Sequence, residues 1–483
     1  MTNINVLIID VIIMKLKNLP ATLFSLCFLA LPVHSSIKVH YVKLSNGTVI
    51  ESNPIKEYEQ RKCDNGAVSV LFYPNIEFQT IEGIGGAFNE IGGDALMALD
   101  KGEREEVMRN LFSLSGAHFS FCRTAVGASD FGIDAYSYSS VADDYEMKHF
   151  SIKRDLKALI PYIQLAYKEN PNLMMFASPW SPPGWMKISG RMDDGIKDGV
   201  ADNERTRLVD SPSVYGAYSK YLAKYIKAYA AHNITINRLL VQNETDAATK
   251  YPSCVMPPSQ MYKFISGYLR PEFNSQQIRT KIWAGTFRTP YKLDALEFAG
   301  NKAYLDSVDG IGIQYTLPKY ISDINCLIGN KPKMHTESNC FNGNNSYEQA
   351  LSRLSEVASY INGGIPNFCY WNMILNETGM SGWNWKQNSL INIDRTNKVV
   401  TYNPDYAAMY ILSRFLQPGA VRIAVSVRTE DVMAVKREEK IYLFVANATD
   451  KEKLYACSVG DANLLKAVVP AKSLAVIEID GYK

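Results

Sequence analysis

Each thing this 483-residue chain is short of removes a class of function. Its eight cysteines are widely spaced and form no C-x-x-C pair. The usual zinc-knuckle and thioredoxin-like frameworks are therefore absent. It has six histidines and no H-E-x-x-H, no Walker loop and no G-x-S-x-G, so no metal, nucleotide or cofactor site is expected. Charge of one sign is not in excess: 51 Lys and Arg stand against 49 Asp and Glu, for a formal net charge of +2. A nucleic-acid binder should show a basic stripe, so a neutral substrate is the better expectation. No internal repeat, low-complexity tract or charge run interrupts the chain. No transmembrane segment is expected either, because the one apolar run near the N-terminus is too short to cross a bilayer of ~30 Å.

That run belongs to an address. Met14-Lys15-Leu16-Lys17 is a short basic region, residues 19–31 are mostly apolar and uncharged, and Val33-His34-Ser35 resembles a signal-peptidase site. Residues 1–35 thus read as a signal peptide, with Met14 as the natural start. A buried N-terminal helix is the competing reading. Cys27 follows Leu26, where a lipoprotein signal would want a small residue, so secretion is expected rather than lipid anchoring. The seven remaining cysteines read mostly as small buried apolar residues, with room for one or two disulfides that the sequence does not assign.

What is present is a core-forming composition, 47% hydrophobic, and an ordered change of texture. Residues 36–80 read as strands, with Ser45-Asn46-Gly47-Thr48 as a hairpin turn. From residue 81, short apolar runs alternate with helical patterns. Strands are expected at 80–85, 119–126, 173–178, 239–242, 281–285, 310–315, 333–336 and 367–372. One of the helices between them is expected at 215–232. Eight such alternations over ~330 residues are what a (β/α)8 TIM barrel requires. After residue 418 six further strands are expected, at 421–427, 432–436, 441–447, 454–458, 467–469 and 474–479. The expected fold is α/β: a TIM barrel over 81–417 with an accessory all-β sandwich built from both chain ends, 36–80 and 418–483.

In such a barrel the chemistry lies at the C-terminal ends of the strands. The residues there are Asn89-Glu90, Arg123 with Ser129-Asp130-Phe131, Trp180 and Trp185, Asn243-Glu244, Glu337, and Trp371-Asn372. A single glutamate after a strand reads as a helix cap or a salt-bridge partner. Two of them, after strands four and seven and beside aromatic and amide side chains, read as the carboxyl pair of a glycosidase. One is protonated beside the leaving oxygen and one is ionised beside the anomeric carbon. Taken alone, Trp180 and Trp185 also suit core packing, Arg123 a buried ion pair, Asp130 a turn, and His335 a packed strand position.

These segments resemble glycoside hydrolase family 30, which includes glucosylceramidases and bacterial β-1,6-glucanases. The resemblance runs from about Glu82 to the end. It is carried by Gly83-Ile84-Gly85-Gly86-Ala87-Phe88, by Ser178-Pro179-Trp180-Ser181-Pro182-Pro183-Gly184-Trp185, by Gln242-Asn243-Glu244, by Thr336-Glu337-Ser338-Asn339-Cys340 and by Trp371-Asn372-Met373-Ile374-Leu375-Asn376. It implies a retaining enzyme with Glu244 as acid/base and Glu337 as nucleophile. Asn243 would bind the sugar 2-hydroxyl, Asp130 and Trp180 the terminal sugar, Trp371 would form an aromatic wall, and Asn388 would add a polar contact; Arg123 and Tyr315 are further candidates for binding substrate. Glucosylceramidases carry His-Trp-Tyr after the sixth strand, with the tyrosine near the nucleophile. Here Gln314-Tyr315-Thr316 stands instead, so an altered hydroxyl contact is expected. Lys250-Tyr251-Pro252-Ser253-Cys254 lacks the phenylalanine of their mouth. Both departures favour a β-1,6-glucan over a ceramide glycoside. A glucosylceramidase or exo-β-glucosidase is the alternative, and a xylan- or fucoside-acting relative is a third. From another class, a secreted glycan-binding protein on a dead barrel would lack one of the carboxylates. Asn243-Glu244-Thr245 is also a glycosylation sequon. A glycan there would block the site, which fits a bacterial source.

Overall fold

The computed structural model describes residues 36–44, 49–54, 66–193, 196–197, 200–201, 204–289, 292–427, 431–460 and 465–482. The expected signal peptide, the hairpin turn at 45–48 and Cys63 lie outside these residues.

Eight parallel strands form the barrel: Gly83–Phe88, Phe121–Val126, Met174–Pro179, Arg238–Leu240, Lys281–Arg288, Gly310–Gln314, Lys333–His335 and Asn367–Asn372. The first seven pair in succession in chain order, and the first also pairs with the eighth, Asn367 against Gly83. The strands are buried along nearly their whole length, as parallel strands covered on both faces must be. The expected first strand at 80–85 begins later, because Thr80 still ends a strand of the accessory sheet, Val68–Thr80. Glycine is needed on the first barrel strand: a Cβ on Gly85 would sit 2.2 Å from the Phe121 carbonyl oxygen of the next strand.

The seventh and eighth strands share no backbone ladder. Side chains bridge them instead. The backbone N–H of His335 donates to Asn367 Oδ1 at 2.9 Å, that of Cys369 to His335 Nδ1 at 3.1 Å, and that of Trp371 to Ser338 Oγ at 3.1 Å. His335 is thus a packed strand residue. Its ring stacks on Phe368 with centroids 4.1 Å apart, and burial pushes its pKa well down, so it is neutral.

Helices cover the barrel. The longest among the described residues, Pro212–Ala230, starts on Ser211, whose hydroxyl accepts from the Val214 N–H, with proline in the first turn. It presents Tyr215, Tyr218, Tyr221, Leu222, Tyr225 and Tyr229 to the core, which is the three- and four-residue spacing of one helical face.

The accessory sheet has nine strands and draws on both chain ends. Ser36–Lys43 lies between Val49–Pro54 and the last strand, Ser473–Asp480, while Val68–Thr80 lies between Val421–Val425 and Lys453–Val459. The sheet folds over on itself, so that Ser36–Lys43 also packs on Leu465–Val469, and a separate core lies inside it. The last strand shows the period of two: Ala475, Ile477 and Ile479 face that core, while Leu474 and Val476 join the barrel's. A small extra sheet, Ile374–Asn376 with Ile391–Asp394 and Val399–Tyr402, follows the eighth strand and was not expected. The six described cysteines are free, five of them buried. No helix among the described residues is long and apolar enough to cross a membrane.

Candidate active site

The ends of the barrel strands surround a cavity of about 700 Å³. Asp130, Trp180, Asn243, Glu244, Tyr315 and Glu337 line it together with Tyr251, Arg288, Leu317, Phe341, Trp385 and Gln387. Leu317, Phe341 and Trp385 are exposed and form an apolar rim.

Arg123, on the second strand, organises the inner part. It is 0% exposed, and all five of its N–H groups are taken. Nη1 donates to Glu337 Oε2 at 2.6 Å and to the Thr336 carbonyl at 3.1 Å. Nη2 donates to Asn243 Oδ1 at 2.6 Å and to Ser178 Oγ at 2.7 Å, and Nε to the same Oγ at 3.1 Å. Its guanidinium also lies 4.5 Å from the Trp180 ring centroid and 5.4 Å from that of Trp371, within cation–π range. Lysine has neither the fork nor the plane for this position.

Glu337 is therefore held on both oxygens, Oε2 by Arg123 and Oε1 by the Tyr315 hydroxyl. The hydroxyl contact at this carboxylate is present, supplied by Tyr315, whose backbone is in the left-handed region at φ 51°.

Asn243 Oδ1 accepts from Arg123 and, at 3.1 Å, from Thr286 Oγ1. With its oxygen fixed, the amide offers Nδ2 as a donor at the cavity wall. Glu244 follows in the left-handed region, φ 45°. This conformation costs of order 1–3 kcal/mol for a non-glycine residue, and the Glu244 N–H donates to Thr286 Oγ1 at 3.1 Å. Its Oε1 accepts from Gln314 Nε2 and its Oε2 from Arg288 Nη1, both at 3.2 Å. Gln314 is oriented in turn by the Thr336 hydroxyl, which donates to its Oε1 at 2.8 Å. Burial pushes the Glu244 carboxyl up to about 7; Arg288 opposes the shift, and Glu337 and Asp246 reinforce it.

Asp130 is buried, and its Oδ1 has no hydrogen-bond partner. Burial first, then Glu337 and Glu244, push its carboxyl well above the ordinary range. Of the residues expected to bind substrate, Arg123, Trp371 and Asn388 lie outside the lining. Trp371 stacks behind Trp180 at 5.0 Å and 22°, forming a second layer rather than the wall itself. Asn388 faces away: its Oδ1 accepts from the Asn345 N–H and its Nδ2 donates to Gln349. The adjacent Gln387 lines the cavity instead and accepts from Asn372 Nδ2 at 2.8 Å. The sequon asparagine, Asn243, is 4% exposed.

Sequence reasoning missed Gln314, Thr286, Arg288 and Gln387. The rule that found the others would have found Arg288, since it ends the fifth strand. Gln314 ends the sixth in the same way.

The model of the glycosyl hydrolase family 30 TIM-barrel domain matches residues 81–281, a span that includes Glu244 and ends before Glu337. Putative glucosylceramidase 3 of Caenorhabditis elegans is 29% identical over 400 residues, covering 75% of this chain and 72% of its own. The endo-1,6-beta-D-glucanase BGN16.3 of Trichoderma harzianum is 30% identical over 215 residues, 43% of each chain. Among solved structures, SrfJ from Salmonella typhimurium superposes with a TM-score of 0.81 at 21% identity, over 92% of this chain and 99% of its own, which supports the fold. The barrel, the paired carboxyls at its mouth and the family model converge on a glycoside hydrolase, with residues 81–281 matching the glycosyl hydrolase family 30 TIM-barrel domain.

Proposed function

We propose that the protein hydrolyses β-glucosidic bonds with retention, Glu337 acting as nucleophile and Glu244 as general acid and then base. The observation that carries this is the difference between two carboxyls at one cavity. Burial raises Glu244 to about 7, so it holds a proton at and below neutral pH, while Glu337 has a buried guanidinium against it. In the first step Glu337 bonds to the anomeric carbon, the glycosidic bond breaks, and the Glu244 proton passes to the leaving oxygen. In the second, Glu244 takes a proton from water, whose oxygen displaces Glu337 and leaves the sugar with its original configuration. Asn243 Nδ2 serves the sugar 2-hydroxyl, and Asp130 and Trp180 hold the terminal ring. Gln387 takes the polar contact that the resemblance gave to Asn388.

As substrate we adopt a β-1,6-linked glucan. The Trichoderma relative carries that activity in its name, and Tyr251, Trp385 and Phe341 offer aromatic faces for successive rings beyond the terminal sugar. A glucosyl lipid is the second reading, favoured by the exposed Leu317 and Phe341 at the rim. The basic and apolar N-terminal segment supports export of the protein to meet either substrate outside the cytoplasm. The test is a product profile on β-1,6-glucan, an aryl β-glucoside and glucosylceramide. Mixed oligosaccharides from the glucan are expected. Glucose released only from the aryl glucoside or the lipid would overturn the glucan reading in favour of the second.

A further inference from the structure

We infer that Asp246 and Arg288 form a positioning pair that tunes proton transfer at Glu244. The inference rests on Glu244 being the acid/base. Arg288 ends the fifth strand, and Asp246 lies two residues past Glu244. The two make a fork: Arg288 Nε meets Asp246 Oδ1 at 2.9 Å and Nη2 meets Oδ2 at 3.1 Å. The remaining nitrogen, Nη1, reaches Glu244 Oε2 at 3.2 Å. One guanidinium thus spans two carboxyls that carry different duties. The side chains are 17% exposed for Arg288 and 5% for Asp246, so water screens the triad little.

Glu244 alternates between neutral and ionised forms in each turnover. Arg288 favours the ionised form. Unopposed, it would draw the Glu244 carboxyl down against the burial that raises it and leave less of it protonated at neutral pH. Asp246 fixes the guanidinium bidentately and offsets its charge, so Arg288 assists the carboxylate without stripping the proton before it is needed. The other groups facing Glu244 do not duplicate this. Glu337 comes from the seventh strand and Asp130 from the loop after the second, both acidic. Tyr315 and Tyr251 are neutral, and both are held well above their ordinary range by burial. Arg123 is saturated by Glu337, Asn243, Thr336 and Ser178. Asp294 stands beyond Thr245, accepting from its hydroxyl at 3.3 Å, with Lys292 near it. Gln314 donates to Oε1 but carries no charge.

The test is the pH profile of kcat/KM on phenyl β-glucoside, whose leaving group needs a proton. A 2,4-dinitrophenyl β-glucoside, whose leaving group does not, runs alongside. On the phenyl glucoside the basic limb should move down by roughly one pH unit in Asp246→Asn and up by roughly one in Arg288→Gln. Arg288→Lys, which keeps charge but loses the fork, should fall between Arg288→Gln and the parent. On the dinitrophenyl glucoside none of these shifts should appear. The position of a limb does not depend on how much protein is folded, so a poorly folding Arg288→Gln leaves the other two variants decisive. A limb that stays put in Asp246→Asn, or moves the same way in all variants, overturns the inference. Glu244→Gln separates this from the underlying reading: if that variant keeps the basic limb, Glu244 is not the acid/base; if it loses the limb while Asp246→Asn leaves it unmoved, only the positioning pair fails.

Discussion

The barrel mouth and the accessory sheet both bury charged and polar groups, but they settle them in opposite ways. In the sheet, Glu478 accepts from His40 at 2.9 Å and from Lys440 at 2.6 Å, one from each neighbouring strand. Asn447 Nδ2 donates to the carbonyls of Lys451, Val469 and Pro470. In the mouth, Asp130 Oδ1 has no partner, and the Asp130 and Glu244 carboxyls are both pushed up by burial. A folded protein satisfies its buried polar groups unless something else is to satisfy them. The sheet's polar groups complete the architecture, while the mouth leaves Asp130 Oδ1 open and holds two carboxyls raised by burial. Substitutions in the mouth should therefore cost activity more than stability, and those in the sheet the reverse.

The sharpest contrast lies within the mouth. Glu337→Gln should lower turnover by at least about 10³-fold, and it should also lower the melting temperature, because Arg123 loses the anion it was built around. Turnover within tenfold of the parent would remove Glu337 as nucleophile. Glu244→Gln should cost about 10² to 10⁴-fold on a poor leaving group while treating stability differently. The parent's Glu244 binds a proton in the folded state up to about pH 7, but in the unfolded state only up to about 4.5. Its folded pKa is raised, so the stability tied to its proton is lost as pH rises through that window. The glutamine variant has no such loss. Its melting temperature, relative to the parent, should rise between pH 5 and pH 8. A flat difference across that range would mean that Glu244 is not held neutral by the fold.

The parts of this contrast that sequence could reveal are those set by period and position. Eight strand-like runs alternating with helical ones place Glu244 and Glu337 at the ends of the fourth and seventh strands without knowledge of any side-chain contact. Strand periodicity likewise marks the C-terminal sheet. What was not legible depends on which way a side chain points past a strand's end. Asn388 and Gln387 are neighbours in an irregular segment and face different ways, so a one-residue misplacement exchanges cavity for scaffold. Trp371 and Trp180 look equivalent in sequence, and only packing depth puts one behind the other. The Tyr315 contact depends on a left-handed backbone that a non-glycine residue does not advertise.

The smallest expected effect is in the sheet, and it completes the comparison. The His40 hydrogen bond first, and then Lys440, hold the Glu478 carboxyl down at about 2, against burial that would raise it. A depressed folded pKa contributes stability that is fully present above the unfolded value near 4.5 and is lost as pH falls toward 2. Its partners His40 and Lys440 are 24% and 34% exposed, so screening keeps the contribution modest, roughly 1 kcal/mol. Glu478→Gln should lower the melting temperature by about 1–2 °C at pH 7 and leave kcat/KM unchanged. The gap between variant and parent should hold from pH 7 to about pH 5 and begin to close below 4.5, opposite in direction to the pH response at Glu244. A gap that widens on acidification would mean that the ion pair does not stabilise the sheet. A fall in kcat/KM would mean that the sheet and the mouth are coupled, and the division of labour drawn from their polar groups would fail with it.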